Sequence, residues 1–326
     1  MFFQKATSGN NNFLLYLSTI AIVMIGYVVG QIPLIIVQTM QVKNHTDIGK
    51  EDVNRFLETM DFSIIKLSSN VGLMLMISIF IFAMLAFMLA IKHLHKLPFQ
   101  RLITPNKEIN FKKILFGFGL WFLLALVLEG IVALIHPEIY YFNFKPMRWI
   151  FLLIICIVLL PIQTSLEELV LRGYMMPGIS LLTKNKWIPW VATSVLFGLI
   201  HGANPEVERF GFWTMQLYYV GAGLFLGLIT VLDDSLELAL GVHAATNIFG
   251  AALISFDGSV LQTDSLIKAS VVNPYIMITT FLLGAVVFML ICNKKYNWGG
   301  FKMLFEPIGT NKKDKNDIDH IFTTLD

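Results

Sequence analysis

Eight apolar runs of about 20 residues, the length that carries a helix across roughly 30 Å of hydrocarbon, recur along this chain and leave few folds open to it. They fall near residues 13–37, 70–92, 114–136, 148–175, 187–203, 212–232, 236–256 and 274–292. Continuous runs rich in Leu, Ile, Phe and Ala satisfy their backbone groups internally as helices, whereas a membrane barrel would show short alternating segments. Composition agrees: 56% of the 326 residues are hydrophobic, 14% are charged, and mean hydropathy is +0.69. The expectation is an all-α, polytopic transmembrane helix bundle of about eight spans.

Charge in the connecting segments sets the expected orientation, because short loops rich in Lys and Arg stay on the cytoplasmic side. After the second run come Lys92, Lys96, Arg101, Lys107, Lys112 and Lys113 against Glu108 alone. The segment after the first run sets Asp47, Glu51, Asp52, Glu58 and Asp61 against Lys43, Lys50, Arg55 and Lys66, and is better placed outside. Lys294, Lys295 and Lys302 follow the last run, so an even number of crossings puts both termini in the cytoplasm. The first run is too long for the core of a secretion signal and is read as a retained anchor.

Cys156 and Cys292 are the only cysteines, each inside an apolar run, so neither a disulfide nor cysteine chemistry is expected. The net charge of +2 belongs mostly to loops that face anionic lipid and gives no reason to expect nucleic acid as a partner.

A charged residue at the centre of a membrane helix costs roughly 2.5–3.5 kcal/mol on insertion scales. The second half of the chain nevertheless carries several ionisable groups inside its apolar runs. The fourth run contains Glu167, Glu168 and Arg172; Glu168 and Arg172 are four apart and share a helical face, while Glu167 is turned about 100° away. The fifth run ends in Phe197 and His201, and the seventh carries His243 and Asn247, again four apart, among the small residues Gly241, Ala244, Ala245 and Gly250. Measured from the expected cytoplasmic helix ends, Glu167, His201 and His243 lie roughly 12–21 Å deep at about 1.5 Å per residue, so they can share one layer. The long fourth run is expected to kink or break near Pro161 and to admit water there. Each cluster alone also has a structural reading: an ion pair in a crevice, a satisfied inter-helix hydrogen bond, or polar glue between helices.

In this order, Glu167-Glu168-x-x-x-Arg172, Phe197-x-x-x-His201 and His243-x-x-x-Asn247 resemble the CAAX prenyl endopeptidase and bacteriocin-processing (CPBP, or Abi) family of intramembrane peptidases, over about residues 148–256. The resemblance implies hydrolysis of a peptide bond inside the membrane. Glu167, as general base, and His201 would activate a water, and His243 and Asn247 would form the oxyanion hole. Glu168 and Arg172 would brace the site, and Phe197 would support it. No cofactor is implied. Zinc on two His and one Glu is the mechanistic alternative, disfavoured by the lack of HExxH spacing and by Asn as a ligand.

The chain then divides into 1–147, three N-terminal spans with an outer and a basic cytoplasmic loop; 148–256, the peptidase-like core; 257–305, the last span and its flank; and 306–326, a polar cytoplasmic tail. Expected partners are the bilayer and a peptide or protein substrate, prenylated or otherwise membrane-associated, with a bacterial inner membrane as the setting. Two other readings stay open: a scaffold or immunity protein that kept the fold without activity, and a proton-coupled transporter using the same buried polar groups.

Overall fold

The computed structural model describes residues 1–308; nearly all of the polar tail expected at 306–326 lies outside the described residues. Helices dominate: α1 (Phe2–Ala6), α2 (Phe13–Gly30), α3 (Ile32–Asn44), α4 (Lys50–Thr59), α5 (Ser69–His93), α6 (Phe111–Ile135), α7 (Pro146–Glu168), α8 (Met176–Thr183), α9 (Trp187–Ile200), α10 (Pro205–Phe210), α11 (Phe212–Asp233), α12 (Glu237–Ile248) and α13 (Pro274–Tyr296). Long apolar stretches become helices because nothing else pairs their backbone in hydrocarbon. Polar residues mark where they start: the side chains of Asn12, Ser68, Asn110 and Asn273 accept backbone N–H groups from the first turns of α2, α5, α6 and α13.

Among the described residues six helices, against the eight expected runs, are long and apolar enough to cross a membrane: α2 with α3, α5, α6, α7 through α8, α11 and α13. The fifth and seventh runs make shorter helices. Helix α9 stops at Ile200, where the backbone turns through His201 toward Pro205. Helix α12 runs from Glu237 only to Ile248, then widens into a π turn, Phe249–Leu253, and a strand.

Both short helices nevertheless run between the same two layers of loops as the long ones. One layer holds a small sheet in which β3 (Ile267–Ala269) lies between β1 (Tyr140–Phe142), antiparallel to it, and β2 (Ile254–Phe256), parallel to it. On this sheet face the loop after α9 is tied down by Glu206, whose carboxylate accepts the Val260 N–H at 2.7 Å, and by Arg209, which donates to the Asp257 carbonyl. The loop after α4 joins through Gln262 and the Thr59 carbonyl. The opposite face gathers the N-terminal segment and the segment after α13. There Asn10 N–H meets the His95 carbonyl at 2.8 Å, Phe2 N–H meets Asp234, and Trp298 donates to Asp233. Lys113 pairs with Asp233 at 2.7 Å, and Asn110 N–H reaches Glu237 at the start of α12. This terminal face carries the basic segment 92–113.

Close approach of helices depends on a few glycines. A Cβ at Gly241 would sit 2.1 Å from the Ile114 carbonyl oxygen of α6, and one at Gly223 of α11 would sit 2.9 Å from Ser194 of α9. Gly250 has nothing within 4 Å and plays no such part. Cys156 and Cys292 are free and buried.

Candidate active site between the middle helices

Helix α7 passes through Pro161 without breaking; the Thr164 hydroxyl donates to the Leu160 carbonyl at 3.1 Å in that turn. The irregularity comes about two turns after Pro161. Residues Leu169–Met175 form a π turn that begins immediately after Glu167 and Glu168 and continues into α8. A π turn spreads more residues per revolution than an α-helix and often accompanies a functional site. A second one follows Asn247 on α12. The helix thus continues through Pro161, where a kink or break was expected, and its regular hydrogen bonding gives way instead just after the carboxylate pair.

Glu168 and Arg172 are fully buried and paired, with the guanidinium donating to Glu168 Oε1 at 2.7 Å. Arg172 also donates to the Gly223 carbonyl of α11 at 3.2 Å and lies 4.6 Å from the ring centre of Phe197 on α9. The same Glu168 oxygen accepts from His243 Nδ1 of α12 at 2.8 Å. One carboxylate thus joins three elements, and its charge is matched in place by Arg172, which offsets part of the cost of burial.

Glu167 points elsewhere. Its Oε2 lies 3.9 Å from His201 Nε2 and 3.7 Å from His243 Nε2, and its side chain, like that of His201, keeps some exposure, 11% and 19%. Gln163, one turn earlier on α7, donates to Glu167 Oε1 at 3.2 Å. His201 closes α9 in the sparsely populated bridge conformation, φ −89° and ψ 0°. Its Nδ1 donates to the Phe197 carbonyl at 2.7 Å, and its ring lies between Phe197, 4.4 Å away, and Tyr219 of α11, stacked at 4.8 Å. Tyr219 in turn accepts from Asn204 at 3.1 Å.

These bonds assign the free ring atoms. Both imidazoles spend an N–H on Nδ1, so in the neutral form both present an Nε2 lone pair toward Glu167. Three acceptors then face one another at separations too long for a direct hydrogen bond. A water donating one hydrogen to a carboxylate and one to an imidazole spans about 4 Å between its acceptors, close to the observed spacing. A tetrahedral zinc with ligand bonds of about 2.0–2.2 Å would draw ligand atoms to roughly 3.4 Å, and among the described residues no group of three His, Cys, Asp or Glu stands at metal-holding separation. Asn247, one turn beyond His243, makes no side-chain hydrogen bond to another described residue and is half-buried, so its amide donors are free.

Six of the seven residues singled out in the sequence, Glu167, Glu168, Arg172, Phe197, His201 and His243, meet around this point or brace it, and Asn247 lies one turn beyond His243 on α12. Gln163 and Tyr219 were missed. Gln163 sits four residues before Glu167, a spacing that could have drawn attention to it, whereas nothing local in the sequence ties Tyr219 to His201.

Residues 146–249 match the protein family described as type II CAAX prenyl endopeptidase, Rce1-like. The segment contains all seven residues, and the resemblance drawn from the three motifs holds over it. A Bacillus subtilis (strain 168) protein described as uncharacterized protein YyaK is 38% identical over 183 residues, an alignment covering 56% of this chain and 61% of that protein. No solved structure matches. The chain is a multi-pass membrane protein whose middle segment is like that of a peptidase family.

Proposed function

We propose, starting from the likeness of residues 146–249 to type II CAAX prenyl endopeptidases, that this protein hydrolyses a peptide bond within the membrane by a glutamate-activated water. The observation that carries the reading is the convergence of Glu167 Oε2 with the Nε2 atoms of His201 and His243. A water held by Glu167 and His201 gives its proton to the carboxylate as its oxygen attacks the scissile carbonyl carbon. The proton then passes to the leaving amine as the C–N bond breaks.

The negative charge that develops on the carbonyl oxygen needs donors in place before the reaction, each worth about 2.7–4 kcal/mol. Asn247 supplies one. His243 supplies another only when Nε2 is protonated, and the Glu168 carboxylate on Nδ1 is the counter-charge for the imidazolium so formed. Glu168 and Arg172 hold that counter-charge in a fixed position. The substrate is a membrane-associated peptide or protein, with a prenylated C-terminal segment as the first one to try. The setting is a bacterial inner membrane with both termini in the cytoplasm.

The test is cleavage of a mixed set of prenylated and unprenylated peptides by detergent-purified protein, with and without a strong zinc chelator. Chelator-resistant turnover that disappears in Glu167→Gln and in His201→Ala is expected. Asn247→Ala should retain turnover with kcat lowered roughly 100- to 1,000-fold. Normal turnover in Glu167→Gln would remove the base role, and loss of activity to the chelator would turn the same residues into metal ligands.

A further inference from the structure

Gln163 belongs to none of the three motifs, yet it is the one residue among those described whose side chain donates a hydrogen bond to the Glu167 carboxylate. It precedes Glu167 by one helical turn on α7 and lies on the same face. Its Nε2 reaches Glu167 Oε1 at 3.2 Å, while its own Oε1 is buried with no hydrogen-bond partner among the described residues. The reverse amide orientation would set two oxygens against each other, so the chemistry fixes which way the amide points.

This arrangement is costly as structure. A buried amide oxygen left unpaired costs about 1–3 kcal/mol, and a Leu or Met on the same helical face would carry no such cost. What the amide provides is a distinction between the two oxygens of Glu167. Oε1 is occupied by the Gln163 donor, and Oε2, which has no direct hydrogen-bond partner of its own, faces both imidazole Nε2 atoms. Without that donor the carboxylate is free to rotate about its terminal bond, a broad and nearly two-fold torsion.

We propose that Gln163 is a positioning residue for the hydrolysis: it holds Glu167 by one oxygen so that the other stays aimed at the water. The proposal rests on the peptidase reading and adds to it a residue outside the motifs. It acts through Glu167 and not on the substrate, so its loss should appear in kcat with KM little changed. Its loss removes one unpaired oxygen, Gln163 Oε1, but leaves Glu167 Oε1 without its donor, so the two changes oppose each other and stability should alter little.

The experiment compares wild type, Gln163→Met and Gln163→Glu as purified full-length proteins, measuring kcat, KM and melting temperature on whichever peptide the wild type cleaves, with Glu167→Gln as the blank. Gln163→Met keeps the volume and removes both polar atoms. It is expected to lower kcat roughly 10- to 100-fold, the range for a misplaced reacting group, with KM within about two-fold and a melting temperature close to that of wild type. Gln163→Glu keeps the reach but replaces the donor with a second carboxylate, and should lose at least as much. A Gln163→Met protein with wild-type kcat overturns the role while the peptidase reading stands. So does one whose kcat falls together with its melting temperature, since that is the signature of a structural residue. A wild type that cleaves nothing, under conditions where the protein stays folded, takes away both.

Discussion

Removing the guanidinium of Arg172 would take away the hydrogen bond on Glu168, the one on the Gly223 carbonyl, and the contact with the face of Phe197. Breaking a buried pair from one side costs about 3–5 kcal/mol, chiefly because the remaining charge has no answer. Arg172→Ala should therefore appear first as a loss of folded, monodisperse protein and only then as lost activity. Adding Glu168→Gln should recover part of the yield without recovering turnover, because it takes the counter-charge from His243; yield by size exclusion and turnover in the same preparations check both halves. The pairing of Glu168 with Arg172 was legible in the sequence because four-residue spacing on a helix puts the two side chains together. That His243 shares the same oxygen was not, since helical periodicity says which face a residue occupies and nothing about which helix lies across from it.

At the scale of elements, periodicity and hydropathy located the helices well, and local irregularities poorly. Proline was the visible signal for a break in α7, yet the break is the π turn Leu169–Met175, which contains no proline. The turn packs against the segment that follows α5: a Cβ on Gly173 would be 2.7 Å from the Leu102 carbonyl oxygen, and the Tyr174 hydroxyl donates to His95 Nε2 at 2.7 Å.

Two glycines separate a real close approach from an apparent one. Gly241→Ala must push α12 from α6, since the atom it meets is backbone, and His243 lies two residues on. It should lower both melting temperature and kcat, by about 1–3 kcal/mol in stability, whereas Gly250→Ala should change neither; thermal melts and turnover of the two variants decide this. His95 gives a pH-dependent case on the terminal face. Its Nδ1 meets the Asn10 carbonyl at 2.6 Å, and its Nε2 is left to accept from Tyr174 and Thr19. Burial holds its pKa below the ordinary 6.5, with the Asn10 carbonyl opposing the shift. A base depressed in the folded state contributes stability above the unfolded pKa and loses it as pH falls through the folded value. The wild-type melting temperature should thus drop below pH 6.5, and His95→Gln should flatten that drop while lowering the plateau.

For the molecule as a whole, the apolar runs and the helix lengths give different numbers of candidate spans, eight and six. Among the described residues six helices meet the length and hydropathy expected of a span, yet α9 and α12 also join the sheet face to the terminal face. The chain beyond α9 is held to the sheet-face loop by Glu206 and Arg209, and α12 passes through its π turn into β2; such ties between segments far apart in sequence are invisible to hydropathy. The small sheet was not foreseen either, since three-residue strands leave no period to read. The partition of the loops is the part that sequence and structure describe alike: the basic segment 92–113, the N-terminal segment and the segment after α13 lie together, opposite the acidic loop after the first span. From the charge bias we propose that the terminal face lies in the cytoplasm. Single cysteines at the exposed positions Glu138 on the sheet face and Lys107 on the terminal face test this directly, because the native Cys156 and Cys292 are buried and should stay silent. A membrane-impermeant maleimide should label Glu138→Cys in intact cells and Lys107→Cys only after permeabilisation. The reverse pattern would invert the protein and send the substrate to the site from the other side of the membrane.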